Sequence, residues 1–187
     1  MAELPPVRLT HMGLWVHDLD KMVAFYTHVF GFIVSDRGVT RGSPIAFLTL
    51  DPGAHHQIVM AEGRPAELAF NPIQQISFKT DKLASVRAYY KALQSEPVTN
   101  IQGITHGNAW SIYFQDPENN RTEVYCDTPW HVAQPFGVPI DMALPEDEIM
   151  RRTQELIRDK PTYSTFDEWS RETETKLAIK RAPELAR

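Results

Sequence analysis

Apolar residues in this chain recur at two spacings, and the switches between them predict its elements. Residues 9–16 (LTHMGLWV) are rich in branched and aromatic side chains and read as a strand, with His11 at its start. Met22, Val23, Phe25, Tyr26, Val29 and Phe30 then fall at helical spacing. Asp18 or Asp20 is placed to cap that helix, and Gly31 sits just past its end. Residues 32–35 and 45–50 read as strands around a loop at 37–44, and a DPGA turn leads to a further strand at 55–60 (HHQIVM). The order is βαβββ.

After a polar connector at 62–72 the pattern starts again. Residues 73–80 (IQQISFKT) form a strand, and 81–93 a helix with Leu83, Val86, Tyr89, Tyr90 and Leu93 on one face. A short strand at 98–101 precedes the richest stretch of the chain, 103–127 (GITHGNAWSIYFQDPENNRTEVYCD). Strands at 110–114 and 122–126 flank a DPENN turn there, where Pro117 suits position i+1 and Asn119 or Asn120 the left-handed closing position. An offset of 64 residues, the distance from His11 to Gln75, places Leu14 over Phe78, Leu19 over Leu83, Met22 over Val86 and Phe25-Tyr26 over Tyr89-Tyr90. Such self-similarity is a property of the whole fold. Two copies are too few for a solenoid, so the pattern predicts an α+β body of paired βαβββ modules related by a pseudo-twofold axis, with the aromatic pairs in the core.

The composition changes after Asp127. Residues 127–141 carry three prolines and read as an ordered, extended, surface-wrapping segment. Residues 145–158 and 165–180 read as charged amphipathic helices, the second with a capping box at Thr165 and Glu168 and an apolar stripe from Leu156, Ile157, Trp169 and Leu177. The boundaries expected are a domain at 1–135, with module one at about 7–62 and module two at about 70–128, and a C-terminal helical extension at 136–187.

Composition narrows the function. Hydrophobic content of 42% and charged content of 23% are those of a soluble globular chain. A net charge of −5 argues against nucleic acid as a partner, and the mixed charge of the last helices against a membrane surface. Pro5 and Pro6 keep the N-terminus extended, and no signal peptide or ~20-residue apolar span is read. The single Cys126 rules out an internal disulfide and suits a reducing cytoplasm.

Three polar residues stand where strands are expected. Glu123 interrupts an apolar strand; it is paired, for example with a metal ion, or it lies on a solvated face. His11 and Gln75 are equivalent under the repeat. Each alone reads as a hydrogen-bonded structural residue, whereas together with Glu123 they supply a His, a carboxylate and a third donor, the plan of a non-heme metal site.

The segments LTHMGLWVHDLDKMVAFYTHVFGF, HHQIVM, NPIQQISFKT and HGNAWSIYFQDPENNRTEVY together resemble the vicinal oxygen chelate (glyoxalase/bleomycin resistance/dioxygenase) superfamily over about residues 9–135. Within it they are most similar to one-domain type I extradiol ring-cleavage dioxygenases. The resemblance implies modules that curl into a cup around Fe(II), or less often Mn(II), and cleave a catechol-type diol with dioxygen. It implies His11 and Glu123 as metal ligands and Gln75 in a position where these enzymes carry His, a neutral and weaker donor. His56 matches the acid–base His, His106 the His beside the substrate oxygen, and Tyr113 the Tyr that hydrogen-bonds the catecholate, with Asn108 in the same loop. His17, His28 and His131 match no catalytic position. A homodimer is also implied. Two rival readings are a glyoxalase-like isomerase or lyase, disfavoured because the last strand of module one offers His56 and Gln57 but no carboxylate, and a metal-free binding protein of the resistance type, which needs neither His11 nor Glu123.

Overall fold

The computed structural model describes residues 8–68 and 73–181 in two compact units that divide between Pro72 and Ile73. The extended N-terminus expected around Pro5 and Pro6, and the end of the 62–72 connector, lie outside the described residues.

Unit one runs β1 (Met12–Val16), α1 (Leu19–Phe30), β2 (Ile33–Thr40), β3 (Ser43–Thr49) and β4 (Ile58–Glu62) in a sheet of order β1-β4-β3-β2. Helix α1 starts where Asp18 accepts from the Lys21 N–H at 2.9 Å, and it ends at Gly31 with φ 76°, a left-handed conformation that costs glycine nothing. Its buried stripe of Leu19, Met22, Val23, Tyr26 and Phe30 forms a core with Leu14, Val16, Ala46, Leu48, Ile58 and Met60 of the strands.

Unit two repeats this order with β5 (Ile76–Lys79), α2 (Leu83–Ala92), a 3₁₀ turn at Leu93–Ser95, β6 (Thr99–Thr105), β7 (Ala109–Gln115) and β8 (Arg121–Asp127). First and last strands are parallel neighbours in both units. Met12 pairs with Ile58 and Ile76 with Thr122, so the register itself repeats at the offset read from sequence. The paired βαβββ α+β architecture is therefore present, and the DPENN hairpin closes with Asn119 at φ 62°.

Several expected boundaries are corrected. Residues 37–44 are not a loop: β2 and β3 pair through them and turn on Arg41 and Gly42, both at positive φ, as a twist-matched two-residue hairpin requires. Strand β2 is exposed along nearly its whole length, so its sequence lacks the alternation that reveals a strand. His55 and His56 precede β4 rather than lying in it, and the short strand expected at 98–101 extends to Thr105. His11 and Gln75 each stand one residue before their strands.

After Asp127 the chain continues through β9 (Trp130–His131), β10 (Val138–Pro139), α3 (Glu146–Ile157), β11 (Ser164–Thr165) and α4 (Phe166–Arg181). Strand β10 pairs antiparallel with β6 and covers what would be an open sheet edge. Helix α3 buries Ile149, Thr153 and Ile157 at four-residue spacing, and Thr153 accepts from the Trp110 indole N–H at 2.8 Å. The apolar stripe expected on these helices is thus corrected. Of its four residues Ile157 alone is fully buried; Leu156, Trp169 and Leu177 are 41%, 36% and 45% exposed, although Trp169 stacks on His131. The capping box holds in both directions, Thr165 N–H to Glu168 at 2.8 Å and Glu168 N–H to Thr165 at 3.2 Å.

The seam between β6 and β10 depends on Gly103. A Cβ there would run into the Ile140 carbonyl oxygen and reach Met142 Cγ at 2.8 Å. Gly103→Ala is expected to destabilise the protein by about 1–3 kcal/mol, lowering Tm by roughly 2–4 °C per kcal/mol. Gly13→Ala, where a Cβ meets nothing within 4 Å, serves as the control. Equal melting of the two variants would show that β10 yields without cost.

Candidate functional site

One face of the unit-two sheet is apolar and packs on α2 through Ile76, Ile112, Phe114, Val124 and Cys126. Alternation places polar residues on the other face. Register aligns Ser77, Glu123, Tyr113 and Gln102 in a single row across four strands. Glu123 is 6% exposed. Its Oε2 accepts from the Ser77 hydroxyl at 2.6 Å and from the Gln75 amide at 3.2 Å, and that amide also reaches Ser77 Oγ at 3.0 Å. Among the described residues Glu123 has no ion-pair partner. A carboxylate taken out of water and held only by neutral donors is an expensive group to keep.

Tyr113 lies beside Glu123 and is 8% exposed. Burial, and then the hydrogen bond and charge of Glu123, raise its phenol above the ordinary tyrosine range, with the Arg121 guanidinium opposing. Its hydroxyl meets His106 Nε2 at 2.9 Å, while His106 Nδ1 meets the Phe136 carbonyl at 2.7 Å. A carbonyl only accepts, so Nδ1 carries the His106 proton and Nε2 is left to accept from Tyr113. A cavity of about 590 Å³ lined by Gln134, Pro135, Phe136 and Gly137 opens beside this His106. Asn108 is turned elsewhere: its side-chain oxygen accepts from Gln134 at 3.2 Å.

In unit one His11 and His56 pack with ring centroids 4.4 Å apart. His11 Nδ1 lies 3.1 Å from the Thr10 hydroxyl, which leaves Nε2 for a ligand. Asp36 Oδ2 lies 2.8 Å from His55 Nε2, and His55 Nδ1 lies 2.9 Å from His56 Nδ1. With Asp36 as acceptor, His55 is protonated at Nε2, His56 donates from Nδ1, and the His56 Nε2 lone pair is free. Desolvation first, then the neighbouring His11 and His55, lowers the His56 pKa below the usual imidazole value.

The structure therefore joins Gln75 to Glu123, His106 to Tyr113, and His11 to His56. It adds Ser77, Arg121, Asp36, His55 and the Phe136 carbonyl, none of which the sequence reading singled out. Arg121 was within reach of it, since it stands two residues from Glu123 on one strand and so shares its face, and Ser77 lies opposite Glu123 on the neighbouring strand. The Phe136 carbonyl is backbone from a proline-rich segment and carries no side-chain signal.

Among the described residues no three His, Cys, Asp or Glu side chains are grouped to hold a metal ion; a set with one amide donor contains only two such groups. The donor chemistry of the Glu123 pocket nonetheless fits a divalent cation. A buried carboxylate without a counter-ion among the described residues lies beside an amide whose oxygen takes the place of its nitrogen on a half-turn.

No described helix is long and apolar enough to cross a membrane. Residues 8–124 match the model of the Glyoxalase/Bleomycin resistance protein/Dioxygenase superfamily. Biphenyl-2,3-diol 1,2-dioxygenase 2 of Rhodococcus globerulus is 26% identical over 154 residues, covering 73% of this chain and 78% of its own length. The fosfomycin resistance protein FosX of Listeria monocytogenes, solved with Mn(II) and sulfate, superposes with a TM-score of 0.54 at 24% identity, over 66% of this chain and 95% of its own. A glyoxylase/bleomycin resistance protein/dioxygenase domain from Frankia sp. EAN1pec gives a TM-score of 0.58 at 22% identity, over 66% of this chain and 94% of its own. Repeated βαβββ units in a shared register, and a family match over most of the paired modules, lead to one conclusion: this chain belongs to the Glyoxalase/Bleomycin resistance protein/Dioxygenase superfamily.

Proposed function

We propose that the protein is a metal-dependent extradiol dioxygenase that cleaves a catechol-type aromatic diol with dioxygen. The observation that carries this reading is Glu123: a buried carboxylate with no cationic side chain paired to it among the described residues, in one row with Ser77 and a Tyr113 that is bonded to His106. The Rhodococcus relative, whose name is that of a ring-cleaving enzyme, supports the reaction class. The proposed ligands are those the resemblance implies, His11, Gln75 and Glu123, with Fe(II) preferred and Mn(II) the alternative. Bound there, the metal supplies Lewis acidity that lowers the second hydroxyl's pKa and electron transfer toward dioxygen.

The chain's own residues supply the proton handling. Tyr113, its pKa raised, stays protonated at working pH and is not a base; its one proton, held by His106 Nε2 in the free protein, would turn to an ionised diol oxygen when substrate binds. The Phe136 carbonyl pins the His106 proton at Nδ1, which keeps Nε2 an acceptor and orients the phenol. His56, neutral near pH 7, offers its Nε2 lone pair for a proton that leaves the diol and can later return it. Its orientation is held by His55 and Asp36.

One observation favours a second reading. The amide at position 75 is a weaker donor than imidazole, which suits a metal-dependent isomerase or lyase without oxygen chemistry. Anaerobic loading with Fe(II), followed by oxygen uptake over a panel of catechols, separates them. Diol-dependent uptake above the metal-only background is expected. Stoichiometric metal binding with no uptake on any diol would favour the second reading.

A further inference from the structure

We propose that the cavity at the Arg121 end of the unit-two sheet is an anion subsite that receives a carboxylate borne by an aromatic substrate. This deepens the ring-cleavage reading and rests on it only for the diol half of that substrate. The cavity measures about 420 Å³ and is lined by Asn100, Gln102, Tyr113, Phe114, Gln115 and Arg121. Arg121 stands two residues before Glu123 on β8 and opposite Gln115 on β7, so it lies on the Glu123 face, one row along. Its guanidinium carbon sits 4.3 Å over the Tyr113 ring.

Two features make this a site for an anion and not only a polar rim. First, among the described residues no carboxylate pairs with Arg121, whereas one lies within 3.5 Å of Arg37, Arg87, Arg151, Arg152 and Arg158. The guanidinium lies over the Tyr113 ring and lines the cavity, and a guanidinium fork can bind a carboxylate with two parallel bonds. Second, the Gln115 side-chain oxygen is already taken by the Thr99 hydroxyl at 3.1 Å and the Asn100 amide at 2.8 Å. That fixes the Gln115 amide so that its N–H groups remain to donate. The lining thus offers surplus donors, no carboxylate and an aromatic wall. A substrate that meets it is an arene with an acidic side chain.

Calorimetric titration of the metal-free protein with phenylacetate and with neutral 2-phenylacetamide tests the subsite without metal or oxygen. Wild type is expected to bind the anion at least about fivefold tighter. Arg121→Ala should bring the two ligands level, and Arg121→Lys should keep part of the preference. Gln115→Glu retains acceptor oxygens for Thr99 and Asn100 while adding charge, so it should reverse the preference. Equal binding by wild type, or an undiminished preference in Arg121→Ala, would overturn the subsite. Oxygen uptake by the Fe(II)-loaded protein with 3,4-dihydroxyphenylacetate and with 4-ethylcatechol is read separately. Anion preference without uptake on either diol upholds the subsite and sinks ring cleavage. Uptake with equal kcat/KM for both diols, and no anion preference in the titration, does the opposite.

Discussion

Glu123→Gln is expected to abolish the stabilisation that divalent metal gives this protein while leaving the metal-free protein as stable as before, or more so. The amide keeps the shape of the side chain and still accepts from the Ser77 hydroxyl, but it removes a charge that no described cation balances. At a hundredfold excess over Kd a ligand stabilises by about 2.7 kcal/mol, which corresponds to a Tm rise of roughly 5–10 °C for a chain of this size. Outer partners of metal ligands alone are worth about 10–100-fold in affinity, so loss of a carboxylate ligand should cost at least the upper end of that range. Thermal melting of both proteins with and without Mn(II) reads the two effects at once. A variant that keeps the metal-induced rise would remove Glu123 from the metal. A metal-free variant that melts well below wild type would make the carboxylate a structural anchor instead.

The second large effect is expected from Gln75→His, which should tighten metal binding by about tenfold or more, or 1.4 kcal/mol for each tenfold. Gln75 now spends its amide N–H groups on Glu123 Oε2 and Ser77 Oγ. A neutral imidazole in that place presents a stronger donor within reach of the same carboxylate. If the native reaction is ring cleavage, diol-dependent oxygen uptake persists or rises, because His56, His106 and Tyr113 are untouched. If the amide serves a different reaction, the variant binds metal well and loses its native turnover. Unchanged affinity and unchanged uptake would place residue 75 away from the metal altogether.

These two residues also show how far the sequence carries. The repeat was legible because buried Leu19 and Met22 of α1 recur as buried Leu83 and Val86 of α2 at one offset. The aromatic pairs match less well, since Phe25 and Tyr26 are buried and Tyr89 and Tyr90, expected in the core, are half-buried. Glu123 was legible as a polar residue among apolar neighbours. Strand β2 was only half legible, since exposure frees it from alternation, and the Arg41–Gly42 turn lacks the usual Asn-Gly signature. The partners that set tautomers escaped for a different reason. Asp36 reaches His55 across a hairpin, and Phe136 reaches His106 through its carbonyl, so neither spacing nor side-chain type announces them. Register makes such contacts, and register is settled only when the sheet assembles.

The parallel pairing of first and last strands sets an order of events during synthesis. Among the described residues strand β1 pairs with β4 alone, so unit one cannot close its sheet until the ribosome has released residues 58–62. Unit two faces the same wait for β8, and its β6 edge stays open to foreign strands until Val138 and Pro139 arrive. Contacts this distant in sequence are slow to form. A nascent chain that has emerged from the ribosome as far as Asp127 but not yet to Val138 would therefore display all four strands of the second βαβββ unit with the β6 edge bare, and that length is where a chaperone has most to gain by holding it.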